Sequence, residues 1–368
     1  AMKKNWFKLT RNIGFCLCLA AALVSCDDDN NPIPDPDPTP EPTETLGAYI
    51  VNTGNWGSND GSLQWYDLAT RTAGSDLYAA QNGQDIGDLQ DLCVYGTKLY
   101  AISATSSKVE ILERNGKLVK SFPMNTSEGQ PMEPRYATAG EGCVFFPAYD
   151  GTVSRLDTLT QEITGSVYVG DHPEALAYVG GKLFVNISGY GSGNQVAVVD
   201  AKTMTKIRDI EVLLNPYTQC LAGDDGYVYF VSNGNYAGSP SVPEGQWIYQ
   251  TLQRIDPDTY KVEELCNASY IANAGDKMYI LYSEYYLPDT HRCYVYDLTT
   301  GKETDLPISV DSFTSPGFIA VDPVTEDIYI GDQLYGALNT VSVYDKDGQF
   351  KHKFDTGMYT TNIRFVAE

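Results

Sequence analysis

Short apolar runs broken by Gly, Asn and Asp, with almost no helical spacing, organise this chain from residue 47 to its last residue, 368. One stretch recurs as GTKLYAIS (96–103), GCVFFPA (142–148), GKLFVNIS (181–188), GYVYFVSN (226–233), DKMYILYS (276–283) and EDIYIGDQ (326–333). After a polar loop comes a second type: SLQWYD (62–67), KVEILE (108–113), TVSRLD (152–157), QVAVVD (195–200), LQRIDP (252–257), CYVYDL (293–298) and VSVYDK (341–346). The acids near the ends of this second type fall at 67, 113, 157, 200, 256, 297 and 345, giving spacings of 46, 44, 43, 56, 41 and 48. Units of four short strands at this period predict propeller blades, and the second type counts seven of them. The first unit begins at GAYIVN (47–52), which matches a second strand, while TTNIRFVAE (360–368) reads as a first strand with nothing after it. The expected fold is therefore all-β, a seven-bladed β-propeller closed by the C-terminal strand joining the N-terminal blade. Closure of that kind removes the open edges of a linear stack. A two-domain sandwich would not produce a single regular period.

Upstream of the repeat the pattern changes. Lys3, Lys4, Lys8 and Arg11 precede an uncharged run over 13–24. That run is too short to span a bilayer as a helix, and it reads as the core of a signal peptide over 1–25. The segment LVSCDDD (23–29) resembles a bacterial lipobox, departing from it in Val24 and Ser25, and so implies lipidation at Cys26. The acids at 27–29 resemble the export signal that sends Bacteroidetes lipoproteins to the outer face of the outer membrane. The implied location is the outer membrane, lipid-anchored and exposed at the cell surface. NPIPDPDPTPEP (31–42) alternates Pro with polar residues, as a semi-rigid polyproline spacer does. The expected organisation is a leader over 1–25, a lipidated linker over 26–45 and the propeller over 46–368.

Charge narrows the partners. The chain carries 25 Lys+Arg against 48 Asp+Glu, a net charge of −23. Removing the four leader cations leaves 21 against 48, or −27. A surface so acidic repels nucleic acid, which is not expected as a partner. Five Cys remain beyond position 26 (Cys93, Cys143, Cys220, Cys266 and Cys293) without a CxxC pair, so at least one is a free thiol. Asp67, Asp157, Asp200, Asp256, Asp297 and Asp345 each precede a tight turn, where Asx side chains bond the backbone. They are spread around the ring, so their expected role is structural. HExxH, P-loop and GxSxG patterns are absent, the three His are dispersed, and Asp224–Asp225 lacks a full EF-hand pattern. The expectation is a protein that is not an enzyme, with no cofactor and no metal.

Loop chemistry points instead to binding. In a propeller, the loops joining second and third strands share one face with the connections between blades. Here those loops are long: NTGNWGSND (52–60), NTSEGQPMEPR (125–135), PAYDG (147–151), SGYGSGN (188–194), NGNYAGSPSVPEGQW (233–247), SEYYLPDTHR (283–292) and GDQLYGALN (331–339). Turns on the other face, around 114–117 and 299–302, are short. The candidate ligand-binding set is Asn55, Trp56, Arg135, Tyr149, His172, Tyr190, Tyr217, Asn235, Tyr236, Trp247, Tyr285, Tyr286, Tyr335 and Tyr359. Tyr and Trp offer stiff apolar faces with a polar tip. Asn55 and Asn235, with Asn52, Asn194 and Asn233, add paired donors and acceptors. Arg135 is a rare cation there, suited to a phosphate or carboxylate.

The strands KLYAIS and KLFVNIS and the hairpins VVDAKTMTKI and YDLTTGKE make 47–368 similar to the YVTN/YncE-like seven-bladed propellers. An aromatic-rimmed propeller behind a lipoprotein leader further resembles the Bacteroidetes cobalamin-binding lipoproteins that partner the TonB-dependent vitamin B12 transporter. That resemblance implies noncatalytic capture of cobalamin or a related corrinoid on the loop-rich face and delivery to the outer-membrane transporter. It implies a face rather than particular residues. Two alternatives stay open: a surface glycan-binding propeller, and a protein-interaction scaffold without a small ligand.

Overall fold

The computed structural model describes residues 42–368. The leader, the lipidation site Cys26, the acids at 27–29 and the Pro-rich segment up to 41 lie outside the described residues. Seven four-stranded antiparallel sheets follow one another around a ring. Each of the seven acidic-ended stretches lies in the third strand of its sheet or at its end, as the repeat predicts. The C-terminal strand Thr360–Ala367 pairs with the N-terminal strand Thr45–Asn52, placing Ile363 opposite Ile50. Their sheet is completed by Ser62–Asp67 and the short Thr72–Ala73. The pairing starts slightly earlier than the sequence pattern implies, because Thr45 already lies in the strand and the Glu44 and Glu368 main chains bond each other.

Seven hydrophobic clusters hold the ring, one between each pair of neighbouring blades. A blade in the ring is thus covered on both faces, which explains why the second strands read as unbroken apolar runs rather than alternating ones. Lys98–Ser103 and Lys277–Tyr282 are buried at every position after their first. The outer strand Leu118–Pro123 has one neighbour fewer and alternates half-buried with exposed residues. Each fully buried Val, Leu or Ile contributes roughly 1.5–3 kcal/mol, so the ring rests on its interfaces rather than on a single centre.

One element departs from the sequence expectation. A helix, Leu77–Asn82, lies in the connection between the first and second blades. The Asp76 carboxylate caps it by accepting from the Tyr78 amide, Gly83 ends it in the left-handed conformation, and it buries Tyr78. All five Cys beyond position 26 are free thiols. Burial pushes Cys93, Cys266 and Cys293 up to about 12, which keeps them protonated and unreactive.

Candidate ligand-binding site

Loop length is distributed unevenly between the two faces. Second and third strands are joined by long segments at 53–61, 188–194, 233–250 and 283–291. On the other face, two-residue turns at 96–97, 141–142, 180–181 and 275–276 join first and second strands. A cavity of about 1280 Å³ is lined by these long loops and by the innermost strands. Trp56, Arg135, Tyr149, His172, Tyr190, Tyr217, Tyr285 and Tyr359 from the expected set all line it.

The other six expected residues lie outside the lining, and the structure gives several of them local work. The Asn55 side chain donates to Asp60 (2.9 Å) and accepts from the Gly336 amide (3.1 Å), clipping two loops together. Asn235 donates to the Gln246 carbonyl and accepts from the Ile248 amide, closing the longest loop across its base. Trp247 Nε1 donates to the Val242 carbonyl in the same loop. Tyr335 accepts from the Trp56 amide (3.0 Å) and packs edge-on against Tyr359. Tyr286 packs edge-on against Tyr285, and Tyr236 is exposed. Asn52 is fully buried, donating to Ser62 and Gln64 and accepting from Thr360, so its amide is structural.

Arg135 does meet a carboxylate, but one from within the protein. Its Nε lies 3.0 Å from Glu174 Oε2, and both side chains are buried. The guanidinium also packs over the Tyr149 ring at 4.6 Å. Tyr149 donates its hydroxyl to the other Glu174 oxygen. Burial pushes the Glu174 carboxyl up, and Arg135 and Tyr149 pull against that shift. The pair thereby presents balanced charge to the cavity rather than a free cation. Glu174 was hidden in the sequence, although it stands two residues after His172 in GDHPE. A second pair, Arg364 with Asp91 at 2.6 Å, flanks the same wall.

Tyrosine hydroxyls supply the remaining polarity. Burial pushes Tyr217 and Tyr270 up to about 12 and raises Tyr136 and Tyr149 further. All four stay protonated at neutral pH on broad apolar rings, with the Tyr149 hydroxyl already donated to Glu174.

The ring also brings together a trio that linear sequence could not reveal. Ser283 Oγ lies 3.5 Å from His291 Nε2, and His291 Nδ1 lies 2.9 Å from Asp311. A general base needs an open lone pair facing the hydroxyl. Here Nε2 also faces the Glu284 carbonyl at 3.1 Å, closer than the Ser283 hydroxyl. The trio has the order of a nucleophile, base and orienting acid, with the imidazole nearer the Glu284 carbonyl than the Ser283 hydroxyl. Among the described residues, no group of three or more His, Cys, Asp or Glu is placed to hold a metal ion, and no helix is long and apolar enough to cross a membrane.

Solved structures share the ring. A candidate 6-phosphogluconolactonase from Bacteroides uniformis is 13% identical, with a TM-score of 0.63 over 88% of this chain and 100% of that one. A protein from Lactobacillus plantarum is 15% identical, with a TM-score of 0.59 over 87% and 99%. Kuenenia stuttgartiensis hydrazine synthase is 15% identical, with a TM-score of 0.58 over 76% and 95%. At such identities the likeness concerns the fold alone. No curated protein sequence matches the chain. The family described as "Domain of unknown function (DUF5074)" matches residues 46–361, and the chain belongs to it.

Proposed function

We propose that this protein is a noncatalytic, lipid-anchored receptor at the outer-membrane surface. It captures cobalamin or a related corrinoid at the loop-rich mouth of the ring and passes it to a TonB-dependent transporter. The observation that carries this reading is the cavity of about 1280 Å³ walled by Trp56, Tyr149, Tyr190, Tyr217, Tyr285 and Tyr359. Drug-sized ligands fill clefts of roughly 300–1,000 Å³, so this one suits a larger molecule. A corrinoid is broad, flat and fringed with amides. Aromatic walls cover its faces, and protonated tyrosines with Gln90 and Gln219 serve its rim. The balanced Arg135–Glu174 pair agrees with a ligand bound mainly through neutral amides.

Membrane attachment and surface location rest on the LVSCDDD segment (23–29), and the transporter partner on the resemblance to the corrinoid-binding lipoproteins. Equilibrium dialysis of the ring, residues 42–368, against micromolar cyanocobalamin tests the reading through the visible absorbance of the vitamin. Excess absorbance on the protein side is expected. Equal absorbance across the membrane, together with retention on a glycan array, would replace the corrinoid with a sugar.

A further inference from the structure

We infer that His172 is the axial ligand of the cobalt in a captured corrinoid, an inference that rests on the reading above. The imidazole lines the cavity between two aromatic walls, with ring centroids 4.7 Å from Tyr149 and 5.2 Å from Tyr190. Its backbone is held in the left-handed region at φ 47, where a side chain is rarely tolerated without compensating contacts. The compensation comes from Ser188, whose amide (3.3 Å) and hydroxyl (2.9 Å) both donate to the His172 carbonyl. The ring is thus aimed from both ends, by its backbone and by its neighbours.

The tautomer follows from one contact. Nδ1 lies 2.7 Å from Asp171 Oδ1, and a carboxylate accepts, so in the neutral imidazole Nδ1 carries the proton and Nε2 keeps its lone pair. Among the described residues, Nε2 has no hydrogen-bond partner within the protein. A carboxylate on the far nitrogen also orients a metal-binding imidazole and raises its basicity. The other two His differ. His291 has both nitrogens engaged, by Asp311 and by the Glu284 carbonyl. His352 faces the Tyr66 hydroxyl at 2.7 Å and lies outside the cavity lining.

A single imidazole would be a poor site for a free ion, which needs several protein ligands. A corrin supplies four nitrogens to its cobalt, so one side chain completes an open axial position. With aquocobalamin the step is a ligand exchange. The cobalt–oxygen bond to water breaks, a cobalt–Nε2 bond forms, and water leaves. Cobalt remains Co(III) and no electron is transferred.

Visible absorption of aquocobalamin mixed with the ring, residues 42–368, tests this. The expected result is a shift of its bands to those of aquocobalamin in excess imidazole. The shift is lost in His172→Ala and kept in His291→Ala, with circular dichroism confirming that both variants fold. Cyanocobalamin, whose cyanide resists exchange, is expected to bind the ring with its own bands unshifted, because the axial position stays closed. Binding of aquocobalamin with an unshifted spectrum, or a shift that survives His172→Ala, would overturn the assignment and leave corrinoid capture standing. Binding of neither corrinoid would overturn both.

Discussion

Glu174 and Arg135 keep their charges out of water, and each depends on the other to do so. Removing one partner of a buried pair leaves the second uncompensated, at a cost of about 3–5 kcal/mol. Glu174→Gln is therefore expected to lower the unfolding free energy measured in urea by an amount in that range, while a paired change to Arg135→Met and Glu174→Leu recovers most of the loss. Equal destabilisation in single and paired variants would contradict the coupling. The turn acids act at the opposite extreme, on the surface. Hydrogen bonds from Thr299 and Thr300 hold the Asp297 carboxyl below its ordinary 3.8, at about 2. The folded ring then binds fewer protons than the unfolded chain, so this contribution is fully present above about pH 4 and is lost as pH falls toward 2. Asp297→Asn keeps the turn and removes the titration. Urea unfolding at pH 4, 3 and 2 should give a shallower loss of stability for the variant, and an unchanged slope would contradict the assignment.

At the scale of elements, the strand Thr360–Ala367 has the most consequence for its length. It is the innermost strand of the first blade and carries Ile363 into the cluster shared with the seventh. Thr360 donates twice, its amide to Asn339 (2.8 Å) and its hydroxyl to Asn52 (2.7 Å), the second tying chain end to chain start. A chain ending at Tyr359 should lose its cooperative thermal transition and elute as aggregates, because the inner edge of Thr45–Asn52 loses its partner strand. A monomer with an unchanged melt would contradict closure by this strand. The strands were legible from sequence because burial on both faces writes them as continuous apolar runs. The helix Leu77–Asn82 was not, since its six residues make under two turns and its caps, Asp76 and Gly83, are ordinary loop residues. Arg135 and Glu174 were equally hidden as a pair. They lie 39 residues apart in sequence, and only the docking of neighbouring blades makes them partners.

As a whole molecule, the ring separates support from recognition. Its seven interfaces are built from ordinary apolar side chains, so the loops on one face are free to carry Tyr and Trp at an open mouth. Tyr190 and Tyr285 are 78% and 79% exposed, a cost in solvation that a free monomer gains little from. Tyr285→Ala is accordingly expected to change stability by less than about 0.5 kcal/mol, as exposed positions do. The same change should weaken ligand binding about tenfold or more, in line with an aromatic anchor worth over ~1 kcal/mol. Thermal unfolding and binding measured on one preparation check the split, and parallel losses in both would contradict it. The central claim is capture of a corrinoid at this mouth, and calorimetric titration of residues 42–368 with cyanocobalamin tests it most directly. The account predicts saturable heat with one ligand per ring at micromolar concentration or below; no heat under those conditions would contradict it.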